Sequence, residues 1–375
     1  MRRLPPSTLA RLVTGLLVAA SAALAATPAG SAGDVLERPA RMSALAERRP
    51  ITALAHAGRR LVAAGQRGHV LLSDDDGRSW RQAAVPVSSD LTALAFPTAR
   101  TGYAVGHDGV VLGSTDGGAT WRKLLDGRAA NALVLEAMKR QVFSDGGDEA
   151  RRLLDEARRN VELGPDKPFL DVWFADEREG FVVGAYNLIL HTADGGRTWD
   201  SWFDATDNPK LLNLYAIRPV EGALFVVGEG GLLLVRDKGA QRFRALGSDY
   251  KGSFFGLLAL VPAAGASSPL HDGVLAFGMR GHALLSHDQG AHWRALDTGL
   301  TASITAGEAT ADGRVVLVDQ SGSIAVSRDG GETFARVAVA QPMPLAAVAV
   351  TPTGVVLGGP RGLRAIERAA SNPGP

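Results

Sequence analysis

Ser114-Thr115-Asp116-Gly117-Gly118-Ala119-Thr120-Trp121 is the stretch on which the fold turns. It follows Ser/Thr-x-Asp-x-Gly-x-x-Trp/Phe, and the pattern returns at 73–80, 192–199, 286–293 and 327–334. A worn copy, Asp237-Lys238-Gly239 followed by Phe243, stands between the third and fourth clean copies. Each residue type has a local task. The Asp and Ser/Thr oxygens hydrogen-bond turn backbone, and Gly takes a positive φ with no Cβ to clash. The aromatic enters the next strand and packs inward. Asp75 with Trp80, Asp116 with Trp121, Asp194 with Trp199, Asp288 with Trp293 and Asp329 with Phe334 therefore read as structural turns. The run Asp74-Asp75-Asp76 is consecutive, whereas a calcium loop alternates its ligands.

A second phrase precedes each turn, as in Gly102-Tyr103-Ala104-Val105-Gly106-His107-Asp108-Gly109. Counting its copies gives seven units, each with a short apolar strand before it. The spacing from Asp75 to Asp116 is 41 residues, as it is from Asp288 to Asp329. About 40 residues is the length of a four-stranded propeller blade. The expectation is an all-β, seven-bladed propeller over residues 26–368, with a tail at 369–375. The seventh unit runs out near Glu367 without a box, so residues 35–43 are expected to supply its last strand and close the ring.

Asp116 to Asp194 is 78 residues, about one unit too long, and the excess is 128–167. Here Leu133, Val134, Ala137, Met138 and Val142 recur at helical spacing, as do Ala150, Leu153, Leu154, Ala157 and Val161. A helical hairpin is expected between blades two and three, with Asp148 as the N-cap of its second helix. Arg140, Arg151, Arg152, Arg158 and Arg159 give it a basic side, diluted by Asp155 and Glu156.

In this topology the hairpin shares a rim with the turns between the second and third strands, opposite the Asp boxes. Those turns vary from blade to blade, presenting Arg67, His107, Tyr186, Glu229, Arg280, Gln320 and Arg361. A varied polar and aromatic surface on a rigid ring suits protein recognition, with Tyr186 and Arg280 the first choices. Arg67, His107, Tyr186, Glu229, Arg280 and Arg361 are the candidate partner-binding residues.

Hydrophobic residues make up 46% and charged residues 21%, an ordinary globular balance. Arg2 and Arg3, the apolar run at 12–24 and the small residues around Ala25 read as a secretory signal over residues 1–25. Its removal takes the formal charge from +1 to −2, which argues against nucleic acid as partner. There is no Cys, hence no site for lipid on a cysteine and no disulfide. The His residues have no zinc spacing, and neither a metal nor another cofactor is expected. The expectation is a soluble, monomeric periplasmic protein with no stable membrane insertion after cleavage.

The five boxes and the phrase Gly-aromatic-Val-Val-Gly resemble the photosystem II stability and assembly factor family of seven-bladed propellers. The resemblance covers most of the mature chain. Leu125-Asp126-Gly127-Arg128 leading into the insert, and Leu170-Asp171-Val172-Trp173-Phe174 after it, look like the non-photosynthetic bacterial branch. That branch implies an exported, non-catalytic assembly or accessory factor for a membrane protein complex, including exporters of the resistance-nodulation-division type. A photosystem II assembly factor is the alternative. Asp boxes also occur in glycoside hydrolases and sialidases, the catalytic alternative. Against it, Tyr103 and Tyr215 fall at core positions of the repeat, and only Tyr186 and Tyr250 read as free.

Overall fold

The computed structural model describes residues 33–144, 146–260 and 273–367. In them the seven units are seven antiparallel meanders, six with four strands and the last with three. The expected signal at 1–25 and tail at 369–375 lie outside the described residues. Blade 2 serves as the pattern, with strands Leu91–Ala95, Gly102–Gly106, Val111–Ser114 and Arg122–Leu125. Its second strand is buried at every position, because both faces meet neighbouring blades, while its outermost strand is fully buried only at Leu125. This explains why second strands read as unbroken apolar runs instead of alternating ones.

Six of the seven first strands carry a β-bulge, seen as register shifts at Ile51/Ala53, Leu91/Ala93, Val183/Gly184, Leu214/Ala216, Phe254/Gly256 and Ile304/Ala306. One extra residue enters the strand at each. The extra residues are Thr52, Thr92, Leu170, Tyr215, Phe255 and Thr305, and all six line the central channel.

The insertion forms two helices, α1 (Gly127–Ser144) and α2 (Asp148–Leu163). Ala130, Val134, Met138, Leu153, Leu154 and Ala157 join one buried cluster with Tyr103, Phe174 and Trp199 of blades 2 and 3. The hairpin is thus part of the core; at the box-rim end of the same cluster Tyr103 stacks on Phe174 at 3.4 Å. Buried Asn131 donates to the carbonyls of Asn160 (2.8 Å) and Gly164 (2.9 Å), satisfying groups that the end of α2 leaves open. Gly147 rather than Asp148 is the N-cap of α2; Asp148 is its first helical residue.

Residues 35–43 do not supply a fourth strand to blade 7. Leu36 is buried in the cluster between blades 1 and 2, and Ala40 N donates to Val85 O (2.9 Å) while Ser88 N donates to Val35 O (2.8 Å). An apolar slot there outcompetes edge pairing. The start of the last strand, Gly362–Glu367, is covered by Glu47 and Arg48, so closely that a Cβ on Gly362 would lie 2.1 Å from Glu47 O. Side chains close the ring instead. Leu61, Ala349 and Val356 pack with Leu54, Trp80 and Leu363 across the seam. Arg78 pairs with Glu367 at 3.0 Å. On the channel side His56 Nε2 meets Glu308 Oε1 at 3.2 Å, and Val350 N of blade 7 donates to Glu308 Oε2 at 2.7 Å. The bond to Glu308 pushes the His56 pKa up.

Candidate functional site

In an antiparallel meander the first-to-second and third-to-fourth connections share one rim, and the other connections share the opposite one. The Asp boxes occupy the first rim. In blade 2, Ser114 Oγ donates to Asp116 Oδ1 (2.8 Å) and accepts from Gly118 N (2.9 Å). Thr120 donates to both Asp116 oxygens, from N at 2.9 Å and from Oγ1 at 2.6 Å. Trp121 Nε1 closes the turn on Gly118 O at 2.9 Å. Equivalent Ser/Thr-to-Asp and Gly-to-Ser/Thr bonds recur in the boxes of Asp75, Asp194, Asp288 and Asp329. Donors converging on the carboxylate hold Asp75 at about 2, Ser79 foremost, and Asp194 at about 2, Thr198 foremost. These aspartates are occupied by their own turns.

The opposite rim carries the turns at Gln66–Gly68, His107–Gly109, Ala185–Asn187, Glu229–Gly231 and Met279–Gly281. Their first N–H donates to the carbonyl just before the first strand of the same blade, as His107 N does to Asp90 O (2.8 Å) and Met279 N to Ser253 O (3.0 Å). The middle residue is left-handed: Arg67 has φ 57°, Tyr186 53° and Arg280 57°. Its N–H donates to a side chain leading into the next blade. Arg67 N meets Asp90 Oδ1 at 2.8 Å, Tyr186 N meets Asn213 Oδ1 at 2.9 Å, and Arg280 N meets Ser303 Oγ at 3.3 Å. Backbone is pinned, and the side chain is left outside.

Of the six candidate residues, Arg67, Tyr186 and Arg280 share this middle position. His107 and Glu229 sit one residue earlier, and Arg361 lies in the two-residue turn of blade 7. Arg67, His107, Tyr186, Arg280 and Arg361 are exposed, as is Gln320 in blade 6. Glu229 is half-buried, with Oε2 accepting from Asn213 N at 3.3 Å.

The hairpin stands on the same rim. Gly127 at the head of α1 packs so tightly on the His107 turn that a Cβ would meet Asp108 O at 2.7 Å. Arg152 Nη2 donates to Pro209 O at 3.0 Å, tying α2 to the approach to blade 4. Lys167, buried at the hairpin's base, holds its ammonium 5.2 Å from the Tyr186 ring centroid. Four of the five arginines of the basic side, those on α2, are neutralised by acids of the same helix: Asp148–Arg151 at 3.0 Å, Glu149–Arg152 at 2.6 Å, Asp155–Arg158 at 3.0 Å, and Glu156–Arg159; Arg140 on α1 makes no ion pair among the described residues. Three-residue spacing on one helix produces these pairs.

Below this rim opens the central channel, about 420 Å³ in volume. Tyr215 lines it, at the bulge position that Thr92 and Leu170 hold in blades 2 and 3, not at a core position. Aligned on Leu91, Phe169 and Leu214, the buried first residues of these strands, the repeat places Tyr215 with Thr92 and Leu170. Tyr103 is buried as the repeat implied, and Tyr250 is engaged through its hydroxyl with Met279 O at 3.0 Å. The channel's Asp171 accepts from Ile217 N at 2.8 Å and from Arg218, and Glu308 is held by Val350 and His56. Both carboxylates serve as blade-to-blade links. Among the described residues no group of three or more His, Asp and Glu could hold a metal ion.

Fold and rims together define a repeat propeller whose one edge is given to turn chemistry and whose other edge is varied. The model of the family described as "Photosynthesis system II assembly factor YCF48" matches residues 151–335. Over that stretch the chain is similar to the photosystem II assembly factor-like family of BNR-repeat propellers. A "Photosystem II assembly lipoprotein Ycf48" of Synechococcus sp. (strain CC9902) is 31% identical over 180 residues, 47% of this chain and 51% of the relative. The same-named protein of Prochlorococcus marinus (strain SARG) is 44% identical over 57 residues, 14% of this chain and 17% of the relative. The chain thus matches about half or less of these relatives' length.

Among solved structures, "YCF48 bound to D1 peptide" superposes with a TM-score of 0.60 at 14% identity, covering 84% of this chain and 92% of that one. YCF48 from Cyanidioschyzon merolae gives 0.59 at 14% identity, covering 87% and 97%. At such identities the likeness concerns the fold alone. The relatives are named lipoproteins, whereas these 375 residues contain no cysteine. Among the described residues no helix is long and apolar enough to cross a membrane.

Proposed function

We propose that this chain is a non-catalytic assembly-factor propeller that holds a peptide segment of a membrane protein against its hairpin-bearing rim. The observation that carries the reading is the rim itself: backbone pinned in the turns of Arg67, Tyr186 and Arg280, their side chains exposed, and a core-anchored hairpin beside them. Rigid scaffolds with varied exposed turns recognise partners at low entropic cost. Relatives named for photosystem II assembly, and a fold neighbour holding a D1 peptide, favour a photosystem II-type membrane complex over an exporter. The weight therefore moves from the exporter to the alternative that the resemblance also carried. Export to the periplasm belongs to the same reading. Against a glycosidase stands the engagement of both channel carboxylates, since paired acid/base work needs one acid free to give up its proton.

The test is binding of a labelled D1 peptide to the full chain, its Tyr186→Ala/Arg280→Ala variant, and an Arg78→Ala/Arg197→Ala variant on the box rim. The expected result is a Kd raised at least tenfold by the first pair and unchanged by the second. Loss only with the box-rim pair, no binding at all, or turnover of aryl glycosides overturns the proposal.

A further inference from the structure

In blades 1, 2 and 6 the bulge residue is a threonine that ties one blade to the next. Thr52 Oγ1 donates to Leu91 O (2.5 Å), Thr92 Oγ1 to Phe169 O (2.7 Å) and Thr305 Oγ1 to Leu345 O (2.7 Å). Blades 3, 4 and 5 abandon this bond and place Leu170, Tyr215 and Phe255 there. All three are half-buried and line the channel, with Tyr215 edge-on to Phe255 at 5.7 Å. A fold that closes with threonine in three blades does not require a bulky apolar arc in the next three.

The arc continues upward into the rim. Asn213 accepts from Tyr186 N at 2.9 Å and reaches the Tyr215 hydroxyl with Nδ2 at 3.5 Å. It also continues inward, because first strands run from the hairpin rim toward the box rim. Arg218 lies three residues beyond Tyr215, about 10 Å deeper at strand rise. Nη1 of Arg218 is used by Asp171 and by Ile217 O, while Nε and Nη2 make no hydrogen bond among the described residues, though the residue lines the channel. A guanidinium has five N–H donors in a fork suited to carboxylate. Asp171 occupies one side of it only.

We propose that the channel mouth over blades 3 to 5 is a binding pocket for an extended peptide that seats a bulky apolar side chain on Leu170, Tyr215 and Phe255 and turns a carboxylate to Arg218. This rests on the reading of the hairpin rim as the partner face, and it adds the pocket and the peptide chemistry. The cavity is of the size that side chains and small ligands occupy.

A phage-displayed library of random dodecapeptides panned on the full chain tests it without presupposing the partner. Selected peptides should pair a bulky apolar residue with Asp or Glu two to four residues away. Tyr215→Thr/Phe255→Thr, which installs the threonine of the other blades, should weaken them at least tenfold with an unchanged melting curve. Asp171→Ala, the residue found at that register as Ala53 and Ala93, frees the guanidinium and should tighten acidic peptides about threefold. Asp171→Ala/Arg218→Gln should abolish the preference for acid without leaving a buried orphan charge. Peptides lacking this pattern, peptides indifferent to these variants, or no enrichment overturn the pocket. Binding of panned peptides with failure of the D1 peptide would remove the photosystem reading and leave the pocket standing.

Discussion

On the box rim Asp116 spends its carboxylate on Ser114 and Thr120, and the indole of Trp121 is buried against the same turn. On the hairpin rim the turn at Gln66–Gly68 is held by backbone atoms and Asp90, and the guanidinium of Arg67 bonds nothing among the described residues. Both turns belong to the same kind of four-stranded blade, yet one edge turns its polar chemistry inward and the other outward. Tolerance of variation follows from that division. When the side chain makes the turn, its identity is constrained; when the backbone and the neighbouring blade make it, the side chain is available for something else.

Deleting one aromatic on each rim tests this contrast most directly. Trp121→Ala should cost about 3–5 kcal/mol, the range for emptying a buried aromatic site. Tyr186→Ala, 55% exposed, should stay within about 0.5 kcal/mol. Urea unfolding of both variants measures this, and similar losses would mean that the rims do not differ as described.

A smaller effect isolates the role of the serine. Ser114 is buried and makes bonds to both Asp116 and Gly118 N, so Ser114→Ala should cost about 1–3 kcal/mol by leaving a buried N–H unpaired. Gln320→Ala, on the exposed rim of blade 6, should show no measurable change in the same assay.

The smallest expected effect is a pH dependence with opposite signs in two places. Asp75, Asp194 and Asp288 are each held at about 2, below the ordinary 3.8. Their contribution is therefore present above pH 3.8 and is lost as pH falls toward 2. His56 is raised above 6.5 by Glu308, so its contribution is present below 6.5 and is lost as pH rises through the folded value. Melting temperatures from pH 2 to 9 should fall at the acid end, less so in an Asp194→Asn variant. The loss at the alkaline end should disappear in His56→Gln. An acid limb unchanged by Asp194→Asn would detach the carboxylate from the stability of its turn.

The residues 114–121, with their repeats 41 residues apart, determined the blades from sequence alone, and the positions from Leu133 to Val161 determined the hairpin. Both are local: a box completes its hydrogen bonds within eight residues, and a helix shows its buried face at three- and four-residue spacing. The rim carrying Arg67, Tyr186 and Arg280 was also legible, since strand alternation decides which turns share an edge. Tertiary structure decided the rest. Residues 35–43 sit between blades 1 and 2 because Leu36 is buried there, a competition between two distant surfaces that no local pattern records. The four arginines of the second helix are paired with acids three positions away, brought onto one face by that helix. Tyr215 and Phe255 reached the channel through bulges, whose extra residue leaves the composition of a strand unchanged while moving the residues after it to the other face.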